Sequence, residues 1–257
     1  MVFFVIPAYN EEENISHLLG SVEKKMCEIG LPYKIVIIDD GSKDGTSSLL
    51  QGYSADFPVV LLKHEVNRNV GQVFRTGFRY VIDHAKTGDV VITKESDNTG
   101  DLNLLPEMLD RLNNGSDIVL ASCYAKGGKV LGATIDRVIM SRVVNSMMRL
   151  LFPVKGASTY SSFYRAHKVD VLKKAMSVYG EKLIEESGFT CMAEMLIKFS
   201  RLSMNISEIP MILRCDTRKG KSKMNKTRTI LAYFRLIFKE LKMLNLQQMS
   251  EENMSGY

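Results

Sequence analysis

Short apolar runs alternate with longer amphipathic stretches along the first half of the chain. Four such runs, rich in β-branched residues, lie at residues 2–6, 34–38, 59–62 and 89–93. They predict buried strands. Apolar residues recur at helical spacing over residues 11–29 and 71–85, and Asp44 is suited to cap a further helix. This alternation is typical of a parallel sheet with helices on both faces, so the sequence predicts an α/β fold.

The second half of the chain is less regular. Helical spacing is found at residues 104–113, 136–152, 169–176, 191–199 and 227–244, and strand-like runs at 117–122 and 207–213. The pair Gly127 and Gly128 indicates a loop. Because there are no repeats and no low-complexity linker, we expect one main domain over residues 1–213. A basic loop with an amphipathic helix over 214–244 and a disordered tail over 245–257 complete the predicted organisation.

Acidic residues follow two of the predicted strands at the point where each strand ends. Asp39 and Asp40 come after the second strand, and Glu95 and Asp97 come after the fourth. Ligands of open α/β sheets bind outside the carboxyl ends of the strands, so these acids predict a ligand site. Carboxylates there can hold Mg²⁺ beside substrate phosphates, or accept hydrogen bonds from a sugar or base. A simple Asx turn or a solvated acidic loop is the alternative without function.

The net charge of +5 is concentrated near the end of the chain. Between residues 214 and 228, seven cationic side chains stand against one acid, Asp216. Such a cluster indicates an anionic partner: phosphates, an acidic membrane surface or nucleic acid. A nucleic-acid-binding module is therefore an alternative of another class, but the aromatic residues do not favour it, and we expect no nucleic-acid partner.

Several features of the sequence bear on the location of the chain. The four cysteines are scattered, which indicates reduced thiols. No signal peptide is recognisable, and no apolar stretch reaches the ~18 residues of a spanning helix. We therefore expect a cytoplasmic chain that does not cross a membrane. The helix at 227–244 is nevertheless mostly apolar, with a basic stripe of Arg228, Arg235, Lys239 and Lys242. It predicts an interfacial helix on the inner face of the membrane, with a helix packed on the sheet as the alternative.

Four segments occur in a recognisable order: VIPAYNEEENI at 5–15, IDDGSKDGT at 38–46, NVGQ at 69–72 and ESD at 95–97. In this respect the chain resembles the family 2 glycosyltransferases of the GT-A fold. The resemblance implies a Rossmann-like, mostly parallel sheet. It also implies an inverting enzyme that uses a nucleotide-sugar donor and Mg²⁺ or Mn²⁺.

Further segments resemble one subgroup, the dolichol-phosphate and polyprenol-phosphate sugar transferases. They are DRVIMSRVVN at 136–145, SSFYR at 161–165, AEM at 193–195 and RKGKSK at 218–223. With them the resemblance covers roughly residues 2 to 240. It implies a polyprenyl-phosphate acceptor and peripheral contact with a membrane.

The resemblance also assigns roles to individual residues. The donor would be bound by Pro7, Ala8, Tyr9, Glu11, Asp39, Asp40, Gly71 and Lys223. Glu95 and Asp97 would hold the metal on the diphosphate, and Asp101 is either a further ligand or a helix cap. Arg137 and Ser141 would handle the acceptor phosphate, and Arg218 lies in the cationic loop that closes over donor and acceptor.

Two features leave the acceptor open. The subgroup commonly has arginine where this chain has Cys123, for which packing is a better interpretation than nucleophilic chemistry. A phosphate acceptor is already anionic and needs no strong base, whereas a hydroxyl acceptor would need one, such as Asp97 or Glu194. The leading prediction is transfer to a polyprenyl phosphate. The alternatives are transfer to a saccharide or other hydroxyl, and a non-catalytic nucleotide-binding relative.

Overall fold

The computed structural model describes residues 1–220 and 225–255. Its strands are β1 (Val2–Ala8), β2 (Tyr33–Asp39), β3 (Val59–Lys63), β4 (Val90–Thr93), β5 (Ile118–Ser122), β6 (Lys129–Leu131), β7 (Arg165–Lys168), β8 (Ile206–Pro210) and β9 (Ile212–Arg214). Its α-helices are α1 (Glu12–Ile29), α2 (Thr46–Asp56), α3 (Asn69–His84), α4 (Leu105–Asn113), α5 (Ile135–Leu151), α6 (Val169–Tyr179), α7 (Cys191–Arg201) and α8 (Lys226–Ser255). The predicted strand–helix alternation of the first half is confirmed.

Seven strands form the main sheet in the order β3-β2-β1-β4-β7-β5-β8. All neighbouring pairs are parallel except those of β7, which runs antiparallel to β4 and β5. The sequence did not indicate β7, because its segment Arg165–Lys168 is polar. Its Arg165 and His167 are nevertheless buried, and burial lowers the pKa of Arg165 to about 10 and that of His167 to about 3.

The apolar side chains form two layers, one on each face of this sheet. One layer joins α3, α6, α7 and α8 to the sheet, and the other joins α1 and α4 to the opposite face. Each strand contributes alternate residues to the two layers, as in Phe3 and Val5 against Phe4 and Ile6 of β1. The predicted arrangement of helices on both faces is therefore confirmed.

The run at 207–213, expected as one strand, is divided between two sheets. β8 pairs with β5 in the main sheet, whereas β9 pairs with β6 in a separate two-stranded parallel sheet. The predicted loop at Gly127 and Gly128 leads directly into β6. The small sheet brings the start of the basic loop, after Arg214, to the edge where the acids lie.

Helix α8 is packed into the fold. Tyr233, Leu236 and Ile237 are buried in the core layer beside α7. Lys239 forms ion pairs with Glu185 and Glu194, at 2.7 and 2.9 Å, so this member of the predicted basic stripe faces the protein. None of the helices in residues 1–220 and 225–255 is long and apolar enough to span a bilayer.

Candidate functional site

Asp39 ends β2, and its two carboxylate oxygens differ in their contacts with the described residues. Its side chain is fully buried, and its Oδ1 accepts a hydrogen bond from the Ser42 N–H at 2.9 Å. Its Oδ2 is buried and accepts no hydrogen bond from the described part of the chain. A buried acceptor without a donor is costly, so this oxygen is suited to receive an N–H or O–H group of a ligand.

Asp40, the next residue, is held inside the protein. Its Oδ1 lies 2.6 Å from His64 Nδ1 and accepts the Arg68 N–H at 2.9 Å. His64 Nε2 in turn lies 2.9 Å from Thr76 Oγ1. These contacts fix the loop between β3 and α3, and the role of Asp40 as a donor ligand stays a prediction.

The turn after β1 is tied to the turn after β2. The Asn10 N–H donates to Ser42 Oγ at 2.9 Å, and the Glu11 N–H donates to Thr46 Oγ1 at 2.8 Å. Asn10 adopts a φ of 54°, a left-handed conformation that asparagine tolerates well. The predicted donor residues Pro7, Ala8, Tyr9 and Glu11 therefore lie in the strand and turn next to Asp39.

Asp97 lies beyond the end of β4 and is paired with a cation of the basic loop. Its Oδ1 accepts the Thr99 N–H at 3.1 Å and the Thr99 hydroxyl at 2.7 Å. Its Oδ2 accepts a hydrogen bond from Arg218. Because β1, β2 and β4 are neighbouring parallel strands, Asp97 and Asp39 belong to the same edge of the sheet.

Glu95 lies closer to the strand and is influenced by two arginines. Burial raises the pKa of its carboxyl group, while the positive charges of Lys94, Arg218 and Arg137 act in the opposite direction. The structure thus brings Arg137 and Arg218, predicted for the acceptor and the leaving group, near one acid of the predicted metal pair.

Asp101 is exposed, and its Oδ1 accepts the Asn103 N–H at 2.8 Å at the start of a short 3₁₀ helix. The capping alternative is therefore what the structure shows, and a ligand role for Asp101 stays a prediction. Among residues 1–220 and 225–255, no group of three or more His, Cys, Asp or Glu could hold a metal. Glu95 and Asp97 would need further oxygens, as a diphosphate supplies.

Lys94 also belongs to this edge of the sheet, although no motif in the sequence indicates it. It is buried, its Nζ donates to the Gly100 carbonyl at 2.8 Å, and it lies 5.3 Å from the centre of the Tyr164 ring. Burial lowers its pKa to about 8. The side chain spans the loop that carries Glu95 and Asp97 and fixes its shape. Its position directly after an apolar strand is the one feature of the sequence that could have indicated a buried lysine here.

The predicted acceptor residues lie on α5, four positions apart. Ser141 Oγ accepts a hydrogen bond from the Tyr124 hydroxyl at 2.8 Å, and Arg137 is half-buried. Burial raises the pKa of the Cys123 thiol to about 11. The thiol therefore stays protonated near neutral pH, which supports the packing interpretation of Cys123.

Glu194 is a candidate base for a hydroxyl acceptor, but its surroundings argue against that role. It is fully buried in α7, and its Oε2 accepts the N–H groups of Glu185 and Glu186, both at 2.8 Å. Its Oε1 accepts hydrogen bonds from Lys198 at 2.8 Å and Lys239 at 2.9 Å. A carboxylate with four donors anchors the helices around it and is poorly placed to take a proton from a substrate.

Gly71 is packed against the loop that precedes α7. Its N–H donates to the Ser187 carbonyl at 2.8 Å. A Cβ atom at this position would lie 2.0 Å from the Glu186 carbonyl oxygen. This close approach explains the glycine without a ligand, and its predicted donor contact stays a prediction. Lys223 lies outside the described residues.

We expect Gly71→Ala to lower the free energy of unfolding by about 2–3 kcal/mol, because the methyl group meets backbone atoms that must move. Gly20→Ala in α1 is the matched control. No atom lies within 4 Å of its added Cβ, so it should stabilise the chain by about 0.5–1 kcal/mol. Urea unfolding of both variants measures the difference, and equal effects would contradict the close packing at Gly71.

The chain matches a known protein family over most of its length. A family model described as glycosyl transferase family 2 matches residues 3–175, well over half of the chain. The chain belongs to glycosyl transferase family 2. The family resemblance read from the segments at 5–15, 38–46 and 95–97 is therefore confirmed.

Similar curated proteins cover most of this family 2 chain. A dolichol-phosphate mannosyltransferase of Pyrococcus furiosus is 29% identical over 244 residues, which is 94% of the chain and 64% of the relative. The chain thus spans less than two thirds of that protein. A polyprenol monophosphomannose synthase of Mycolicibacterium smegmatis is 26% identical over 234 residues, 90% of the chain and 84% of the relative.

Solved structures confirm the predicted fold. The family 2 chain superposes on the glucosyl-3-phosphoglycerate synthase of Mycobacterium tuberculosis with a TM-score of 0.63 at 16% identity. The superposition covers 94% of this chain and 79% of the other. That structure contains Mn²⁺, uridine diphosphate and glucosyl-3-phosphoglycerate. At this identity the likeness concerns the fold alone.

Proposed function

We propose that this family 2 chain transfers a sugar from a nucleotide sugar to a polyprenyl phosphate. The proposal rests on one observation, namely that a single edge of the sheet carries both a buried carboxylate oxygen and a pair of an acid with an arginine. The unsatisfied Asp39 Oδ2 suits a nucleoside, and the pair of Asp97 with Arg218 suits a diphosphate and its metal. The substrates for which the Pyrococcus and Mycolicibacterium relatives are named support the acceptor class.

The donor would bind at the ends of β1 and β2. Asp39 Oδ2 would accept a hydrogen bond from an N–H of the base, and this bond would offset the free-energy cost of a buried oxygen without a donor. Tyr9 and Glu11 in the adjacent turn would line the same pocket. The identity of the base would follow from the shape of this pocket.

Mg²⁺ or Mn²⁺ fits the acids at the end of β4. Asp97 Oδ2 now pairs with Arg218, which shows that this oxygen attracts a positive charge, and a metal ion bound there would take the place of the guanidinium group. Asp97 and Glu95 would hold the ion, and the diphosphate would complete its coordination. When bound, the ion would neutralise charge on the leaving nucleoside diphosphate. Arg218 would place a second positive charge beside the same group.

The acceptor phosphate would lie between the donor and α5. Arg137, whose charge acts on Glu95, and Ser141 would orient it. A phosphate oxygen would bond to the anomeric carbon while the bond from that carbon to the diphosphate oxygen breaks, which inverts the configuration. The phosphate needs no base, and this agrees with the four donors that occupy Glu194.

Peripheral contact with a membrane would bring the lipid to this site. Helix α5 exposes Ile135 by 79%, Ile139 by 57% and Leu150 by 82%, and α8 exposes Phe238 by 72%. Exposed cations, among them Arg142, lie on the same helices. Apolar side chains mixed with arginines are typical of a surface that lies on anionic lipid. We place this contact at the cytoplasmic face of the membrane.

Release of nucleoside diphosphate by the purified chain tests the proposal. A panel of nucleotide sugars is incubated, with and without Mn²⁺, with vesicles that contain a polyprenyl phosphate, the same polyprenol without phosphate, or neither lipid. A further arm replaces the lipid by a soluble saccharide. Release should require both the metal and the phosphorylated lipid. Release with the unphosphorylated alcohol or with a soluble saccharide would favour the hydroxyl-acceptor alternative, and no release with any donor would favour a non-catalytic relative.

A further inference from the structure

Three consecutive residues of the basic loop contact the donor edge. The Thr217 hydroxyl lies 3.0 Å from the Asn98 carbonyl oxygen and 2.8 Å from the Arg214 carbonyl oxygen, so its proton is shared between the donor edge and its own loop, and Arg218 pairs with Asp97. The backbone of Lys219 is then bound by the side chain of Asn14. Its N–H donates to Asn14 Oδ1 at 3.2 Å, and its carbonyl accepts from Asn14 Nδ2 at 3.1 Å.

Asn14 joins three separate segments. Its side chain is buried in the first turn of α1, and its Nδ2 also donates to Glu11 Oε2 at 2.7 Å. Its backbone carbonyl accepts a hydrogen bond from Asn98 Nδ2 at 3.1 Å. One residue thus connects the turn after β1, the loop after β4 and the basic loop.

The contacts of this loop differ in how a bound metal would affect them. The pair of Arg218 with Asp97 uses the carboxylate oxygen that a metal would take. The contacts of Lys219 with Asn14 and of Thr217 with Asn98 are neutral and involve no metal-binding acid. They would persist when Asp97 changes partner, and they would hold the freed Arg218 next to the diphosphate.

We propose that Asn14 is a positioning residue that keeps loop residues 217–219 docked on the donor edge independently of the Arg218–Asp97 pair. The inference rests on the proposed function for the role of Arg218, but the docking itself does not require catalysis. Asn14 acts on the reaction through the loop. It binds the loop through the backbone of Lys219, so the identity of that side chain is not important for docking.

Asn14→Asp tests this proposal with little change of shape. The variant replaces a donor by an oxygen that faces the Lys219 carbonyl and the Glu11 carboxylate, so repulsion should release the loop. Trypsin cleavage after Arg218 in the free chain should accelerate at least about tenfold. Asn103→Asp, the same change at an exposed position, should leave the cleavage rate at the wild-type value.

Thr217→Val provides a second variant that does not depend on a buried substitution. Thr217 is exposed, and loss of the hydroxyl that bridges the Asn98 and Arg214 carbonyls should raise cleavage after Arg218 about threefold without unfolding the chain. A wild-type cleavage rate in Asn14→Asp would overturn the proposal, and a wild-type rate in Thr217→Val would exclude the Thr217 hydroxyl from the docking. Both results are independent of any transfer activity.

A double-mutant cycle separates positioning from general loss of stability. Arg218→Ala should lower the transfer rate strongly in the wild-type background and by less than about threefold in the Asn14→Asp background, because the released loop no longer delivers Arg218. Equal losses in both backgrounds would overturn the positioning role. If no variant or wild type transfers sugar while the cleavage rates differ as expected, the proposed function fails and the docking stands.

Discussion

Asp97→Asn should lower the rate of sugar transfer at saturating Mn²⁺ by at least about 10²–10³-fold. The substitution keeps the shape of the side chain but removes the charge that faces Arg218 and that would hold the metal. The hydrogen bonds of Oδ1 to Thr99 can be retained, so the variant should fold. The measurement is kcat/KM for the donor, with the melting temperature as the check on folding.

Asp101→Asn is the matched control for Asp97→Asn. Asp101 is exposed and caps a short helix, and asparagine caps helices about as well as aspartate. Its transfer rate should therefore stay within about threefold of wild type. A comparable loss at Asp101 would make it a metal ligand, and near-normal transfer by Asp97→Asn would refute the metal assignment.

Glu194→Ala should lower the free energy of unfolding by about 3–5 kcal/mol. The change leaves Lys198 buried without its 2.8 Å partner, weakens the attachment of Lys239 and removes the acceptor of two partly buried backbone N–H groups. The pair of Lys239 with Glu194 is one of the contacts that hold α8 against α7, beside the pair of Glu240 with Arg201. Urea unfolding monitored by circular dichroism gives the value.

Glu107→Ala is the matched control for Glu194→Ala. Glu107 also forms an i,i+4 pair on a helix, with Arg111 at 3.1 Å, but both side chains are exposed. Exposed pairs contribute little, so the change should cost less than about 0.5 kcal/mol. Glu194→Gln addresses the base role, since a folded variant should transfer sugar within about threefold of wild type. A loss of about 10²-fold there would restore Glu194 as a base.

The first half of the fold was predictable because local pattern and tertiary environment agree there. Strands β1, β2 and β4 are apolar and rich in β-branched residues, and acids stand at or just beyond the ends of β2 and β4. Their positions at one edge then follow from the parallel sheet alone. For this reason the sequence alone predicts that Asp39 and Asp97 belong to one site.

Other parts depend on contacts between residues far apart in sequence. Asn14 and Lys219 are 205 positions apart, and no local pattern indicates that an asparagine side chain binds that backbone. In the sequence Lys94 resembles an exposed loop lysine, although its side chain is buried and binds the Gly100 carbonyl. Strand β7 was missed because Arg165 and His167 are polar residues that only the tertiary structure buries. Glu194 matched a motif position, and only the structure reveals its four donors.

The central claim, sugar transfer to a lipid phosphate at the edge that carries Asp39 and Asp97, is tested most directly by the mass of the product. The purified chain is incubated, with and without Mn²⁺, with vesicles containing a polyprenyl phosphate and with the nucleotide sugar that supports nucleotide release. We expect a lipid that has gained one glycosyl unit and has kept its phosphate, formed only when the metal is present. A sugar recovered on a hydroxyl acceptor, or an unmodified lipid beside consumed donor, would contradict it.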